Sequence, residues 1–208
     1  MRKIFRNNDW INVLLFGSLW GISEVLVENF LVPVCPIPRA IILTTVAIGI
    51  LAMARSYLKQ RGVILAIGMV AALYKFLNIQ FFGCQMLALV MLAGTFEIIY
   101  AWLGNRNVSR VIIGAVTVLV FNTAFALVAT FILRNQWWVS GGLPKSVRFI
   151  FLEGSLTAVL AAGTFILGEM AGNRLLQSRA GWALTAIRSF NFVSIILAVS
   201  VAVIAIML

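Results

Sequence analysis

Long apolar runs follow one another along this chain with almost nothing between them, and that feature constrains the fold more than any other. A helix needs about 20 apolar residues to span a hydrocarbon core of roughly 30 Å. Runs of that kind occupy 10–31, 39–56, 62–79, 83–103, 111–133, 147–171 and 191–208. A chain of 208 residues then has room for six or seven spans and little else. Only 11% of the residues are charged and the mean hydropathy is +1.07. A soluble domain carries about 25% charged residues, so lipid is the solvent that this composition fits. The expected fold is an all-α integral membrane protein, one transmembrane domain over 1–208 built as a bundle of six to seven helices.

The breaks between runs have local causes. Pro33, Pro36 and Pro38 stop the first run, since proline cannot continue a helix. A basic turn with Arg55, Lys59 and Arg61 follows the second, and Gly104 opens a polar turn after the fourth. A longer loop is expected at 134–146, with Trp137, Trp138 and the pair Gly141-Gly142. The first run is too long for the core of a signal peptide and is read as a retained span. Within 173–189, Arg174, Gln177, Ser178, Thr185 and Arg188 fall on one side of a helical wheel. Leu176, Ala180, Ala183, Leu184 and Ile187 fall on the other, with Arg179 among them. That pattern predicts a helix lying in the membrane interface.

Basic residues set the orientation. With the N-terminus inside, 11 Lys and Arg fall on the cytoplasmic side and 4 outside, while Lys75 lies within a span. The positive-inside rule therefore predicts a cytoplasmic N-terminus. The same clustering at span ends argues against nucleic acid as the reason for the net charge of +10.

Several functions lack their chemistry. There is no histidine, so a Ser-His-Asp triad cannot be assembled. Cys35 and Cys84 form no CxxC pair, and neither a metal site nor a cofactor is expected. No phosphate-binding GxxxxGK[ST] loop is present, so the chain has no ATPase of its own. No catalytic residue is assigned and no enzymatic activity is expected, although carboxylate chemistry with Glu24 and Glu28 stays open.

Ionisable groups inside a membrane are costly and are functional candidates by default. Depth, taken at about 1.5 Å per residue, places Glu24, Glu28, Lys75 and Glu153 in the outer half of their spans. Asn78, Gln85 and Arg148 also lie on the outer side, whereas Glu97 lies toward the inner side. One reading is a small-molecule pocket open to the outside, lined by these groups and lidded by the loop carrying Trp137 and Trp138. The other is structural: Lys75 forms a buried pair with a carboxylate, and the tryptophans are interface anchors. The expected partner of Lys75 is Glu24, with Glu28 or Glu153 as alternatives. Gly17, Gly21, Glu24 and Glu28 are spaced to share one helical stripe, and Gly17-xxx-Gly21 permits close helix approach. That stripe serves either packing within the bundle or docking onto another membrane subunit.

The run Leu15-Phe16-Gly17-Ser18-Leu19-Trp20-Gly21-Ile22-Ser23-Glu24 resembles the first helix of uncharacterised S components of energy-coupling factor transporters. The resemblance continues through the proline-containing loop to Pro38-Arg39 and a second helix ending in Ala54-Arg55, about forty residues in all. It implies a small multi-pass subunit in the cell membrane of a prokaryote, usually of six helices, that binds a vitamin or metal ion from outside. The implied partners are a transmembrane coupling protein and two cytoplasmic ATPase subunits, with Gly17 and Gly21 as the contact to the coupling protein. The histidines of the nickel and cobalt branches are missing here, and no substrate carries over. The rival functions are a non-catalytic accessory subunit of a larger membrane complex and, third, a membrane enzyme acting on a lipid.

Overall fold

A computed structural model describes residues 7–31, 38–77, 83–104, 108–134 and 136–177. The expected span at 191–208, most of the expected interfacial helix at 173–189, and Asn78 lie outside the described residues. Among the described residues the chain is 93% helical with no strand. Five helices are long and apolar enough to cross a membrane, and a sixth, Val63–Leu77, is apolar but shorter. The chain is an all-α, multi-pass membrane protein.

The helices are α1 (Asn7–Leu26), α2 (Arg39–Tyr57), α3 (Val63–Leu73), α4 (Gly83–Leu103), α5 (Arg110–Leu127), α6 (Gln136–Val147) and α7 (Gly154–Gln177). Short connections make successive spans antiparallel. The dominant contacts close a ring in the order α1, α3, α4, α5, α7, α2 and back to α1. Its interior is filled from every side by Trp20, Ile48, Leu51, Ile64, Ile67, Phe96, Ile113 and Phe165, all fully buried. The rings of Phe96 and Phe165 stack at 5.9 Å between centroids and join α4 to α7. Large apolar side chains also cover the outside, among them Trp10, Phe30, Phe76, Ile98, Phe131, Val159 and Leu167. In water that surface would be one continuous aggregation site, whereas lipid solvates it.

Small residues let the ring close. A Cβ on Gly168 of α7 would stand 2.1 Å from the Gly49 carbonyl oxygen of α2, so the two backbones touch. Beside them the Thr164 hydroxyl donates to the Thr45 carbonyl at 3.0 Å. The expected docking stripe does the same on the other side of the ring. A Cβ on Gly17 would meet Val70 at 2.6 Å, and one on Gly21 would meet Tyr74 at 2.5 Å. Gly17 therefore faces α3 of this chain and Gly21 the turn that ends it, and neither is available to a coupling protein. Repeats of small residues are common in apolar helices, and the spacing alone did not say which neighbour fills the groove.

One end of the bundle, here the lower end, holds its charged groups in local contacts. The Glu97 carboxylate accepts from the backbone N–H of Gly62, and from that of Leu65 at 3.1 Å, at the start of α3. It thereby satisfies donors that the first turn of a helix leaves orphaned. Arg55 lies 4.8 Å over the Tyr100 ring and donates to the Gln60 carbonyl, and Arg110 pairs with Glu169 across α5 and α7.

The upper end is irregular. Three helices pass there into π-helical turns, Val27–Leu31, Val128–Ile132 and Arg148–Glu153, and α3 ends in a 3₁₀ turn, Tyr74–Leu77. The stretch at 134–146, expected to be a loop, is mostly helical: α6 starts at Gln136 and breaks at Gly142, whose φ of 59° is left-handed. Pro144 then starts an apolar helical run of 33 residues ending at Leu176. At the α-helical rise it is about 50 Å long, more than a bilayer core requires. It absorbs the sixth expected span and the first residues of the expected interfacial helix.

Candidate functional site

The irregular upper end encloses a cavity of about 460 Å³. Lining residues come from α1, α2, α4, α5 and α6, from the turns that follow α1 and α3, and from the turn between α6 and α7. The wall from α1 and α3 is charged, and the wall from α5, α6 and the turn before α7 is mainly aromatic.

The charged wall centres on Lys75. Its ammonium lies 2.8 Å from Glu24 Oε2 and 2.7 Å from Glu28 Oε2, so it bridges both carboxylates at once. The side chains of Lys75, Glu24 and Glu28 are only 3%, 6% and 9% exposed. The surrounding donors complete the network. Trp20 Nε1 donates to Glu24 Oε1 at 3.1 Å, Gln85 Nε2 donates to Glu28 Oε1 at 2.9 Å, and Arg39 reaches the same oxygen at 3.4 Å. Helical geometry explains the arrangement. Residues four apart on α1 stack on one face, so Gly17 and Gly21 bring α3 close and Glu24 and Glu28 then meet its end. The 3₁₀ turn carries Lys75 into that gap, where it is buried. The expected pairing of Lys75 with Glu24 is present, and Glu28 shares it.

Across the cavity stand Phe121, Phe125, Trp138 and Phe149. Trp138 is buried and meets Phe149 edge to face at 4.9 Å and Phe125 at 6.0 Å. It is therefore a packed part of the wall rather than a residue on an open lid. Trp137 belongs to the same helical turn, and its side chain is outside the described set. Two polar groups interrupt this wall. Asn122 of α5, 4% exposed, lines the cavity and packs on the backbone at Gly154. Glu153, the last residue of the π-helical turn before α7, lines it as well.

Of the expected site residues, Glu24, Glu28, Lys75, Gln85, Trp138 and Glu153 share this one cavity. Arg148 does not line it; it is exposed at the start of the turn that carries Glu153 inward. The sequence reading passed over Trp20, Arg39, Thr44, Asn122 and the phenylalanines, which line the cavity too. Asn122 had a signal of its own: an amide in the middle of an apolar span carries the same desolvation argument as a charge. The phenylalanines had none, because nothing in an apolar sequence separates a cavity wall from a lipid-facing side.

Glu24 and Glu28 thus each accept from a cation and from a neutral donor. No family model, no curated protein and no solved structure matches this chain.

Proposed function

We propose that the protein is the substrate-binding membrane subunit of an ATP-driven importer of the energy-coupling factor type, and that it captures a small molecule such as a vitamin in the cavity at its upper end. The observation that carries this reading is the cavity itself: concave, largely apolar, with a few convergent polar groups, which is how small-molecule sites are built. The ring of six helices and the resemblance of the first forty residues add to it. The positive-inside count turns the cavity to the outside, where an importer meets its substrate. With no nucleotide-binding loop in the sequence, energy has to come from a partner.

The Lys75 network taken alone fits an accessory subunit equally well, since a satisfied ion pair can serve packing only. The cavity beside that network favours ligand capture. Gly17 and Gly21 pack against α3 and the turn that ends it, so a coupling protein would dock elsewhere on the lipid-facing surface.

Co-purification tests the assignment. The tagged chain, extracted gently from its own membrane, should bring down a coupling protein and a pair of ATPases. Recovery of the chain alone, or with a complex lacking any ATPase, contradicts the importer reading.

A further inference from the structure

The cavity's charges do not balance. Three carboxylates line it, Glu24, Glu28 and Glu153, against two cations, Lys75 and Arg39. Both cations stand on one wall, already engaged with Glu24 and Glu28. Glu153 has no ion pair or hydrogen bond from its carboxylate among the described residues. Beside it Asn122, more than nine-tenths buried, also has no hydrogen-bond partner among them. On the opposite wall Gln85 spends its amide N–H on Glu28 and leaves its carbonyl oxygen, also buried, without a donor. A carboxylate and two amides thus face the cavity with unused hydrogen-bonding capacity. Of these the Gln85 oxygen is fully buried, and a buried polar atom without a partner calls for an explanation.

Resting on the reading of this cavity as the substrate site, we infer that the ligand is a small organic monocation: an amine or related cationic head on a flat apolar body. The head pairs with Glu153 and hydrogen-bonds to the side-chain carbonyl oxygen of Asn122. The body lies among Phe121, Phe125, Trp138 and Phe149. Aromatic faces stabilise an adjacent cation as well as an apolar ring, so this wall accepts both parts of such a molecule. An anionic head has no comparable place. Lys75 is enclosed by two carboxylates, and Arg39, half-exposed at the rim, already leans on Glu28.

Three probes with one indole body test the charge preference on the purified protein: tryptamine as the cation, tryptophol as the neutral analogue and indole-acetate as the anion. Calorimetry should find tryptamine bound about tenfold or more tighter than tryptophol, the scale of one charge-assisted hydrogen bond, and indole-acetate weakest. Glu153→Gln keeps the shape and removes the charge, and it should bring tryptamine and tryptophol to equal affinity. The wild-type ranking stands by itself if that variant fails to fold. Equal affinity of the three probes, no binding by any of them, or a preference for indole-acetate overturns the assignment. So does a tryptamine preference that survives Glu153→Gln. An anion preference in a protein that still co-purifies with ATPases would sink this inference and leave the importer reading in place. A cation preference in a protein without ATPase partners would do the reverse.

Discussion

Lys75 is the residue on which the upper end of the bundle depends. It holds two carboxylates at 2.7 and 2.8 Å in a place closed to solvent. Removing one partner of a buried pair typically costs about 3–5 kcal/mol, because the remaining charge is uncompensated. Lys75→Met should fall at the high end of that range, since it leaves two carboxylates facing each other across one helical turn. Glu24→Gln should be milder, because Glu28 still neutralises Lys75. The double variant should recover only part of the loss, as Glu28 then stays buried with Arg39 alone. Thermal unfolding of the four proteins in one detergent measures all of this. Full recovery in the double variant would show that Glu28 does not share the lysine, and an undisturbed Lys75→Met would remove the network from the account. The sequence reached this pair because a lysine and two glutamates are conspicuous among apolar residues. It did not reach the bridging geometry, which depends on a 3₁₀ turn that leaves no mark in Tyr74-Lys75-Phe76-Leu77.

At the scale of the helices, existence and length were legible and neighbours were not. The runs at 39–56 and 83–103 correspond to α2 and α4 within a residue, because hydrophobic length and a basic or glycine stop define a span. The stretch at 134–146, with its pair Gly141-Gly142, reads as a loop, but only Gly142 breaks the helix and Pro144 starts the next one, as proline can at a first turn. Glycine stripes were legible as close contacts but silent about the partner. Gly168→Ala should separate α2 from α7, since its methyl would overlap the Gly49 carbonyl, with a loss of about 1–3 kcal/mol or more. Gly163→Ala, with open space around it, should change stability by no more than about 1 kcal/mol. Equal unfolding temperatures for the two variants would mean that the α2–α7 seam is not the close contact described.

For the whole molecule, an asymmetric bundle follows from where polar groups are satisfied. Glu97, Arg55, Arg110 and Glu169 fasten the lower end, while the upper end keeps a cavity with polar groups still to be matched. Orientation decides what that cavity can meet. With Cys35 and Cys84 replaced, a cysteine at position 148 should react with an impermeant reagent in intact cells and one at position 59 should not; the opposite pattern would turn the cavity to the cytoplasm and end the importer reading. The central claim, that the cavity holds a small molecule, is tested most directly by native mass spectrometry of the gently purified protein. Wild type should carry a bound small molecule that is released on collisional activation. Ala88→Trp, which puts an indole into the cavity from α4, should fold and carry none. A wild-type protein with no bound molecule, or a ligand that persists in a folded Ala88→Trp, would contradict the account.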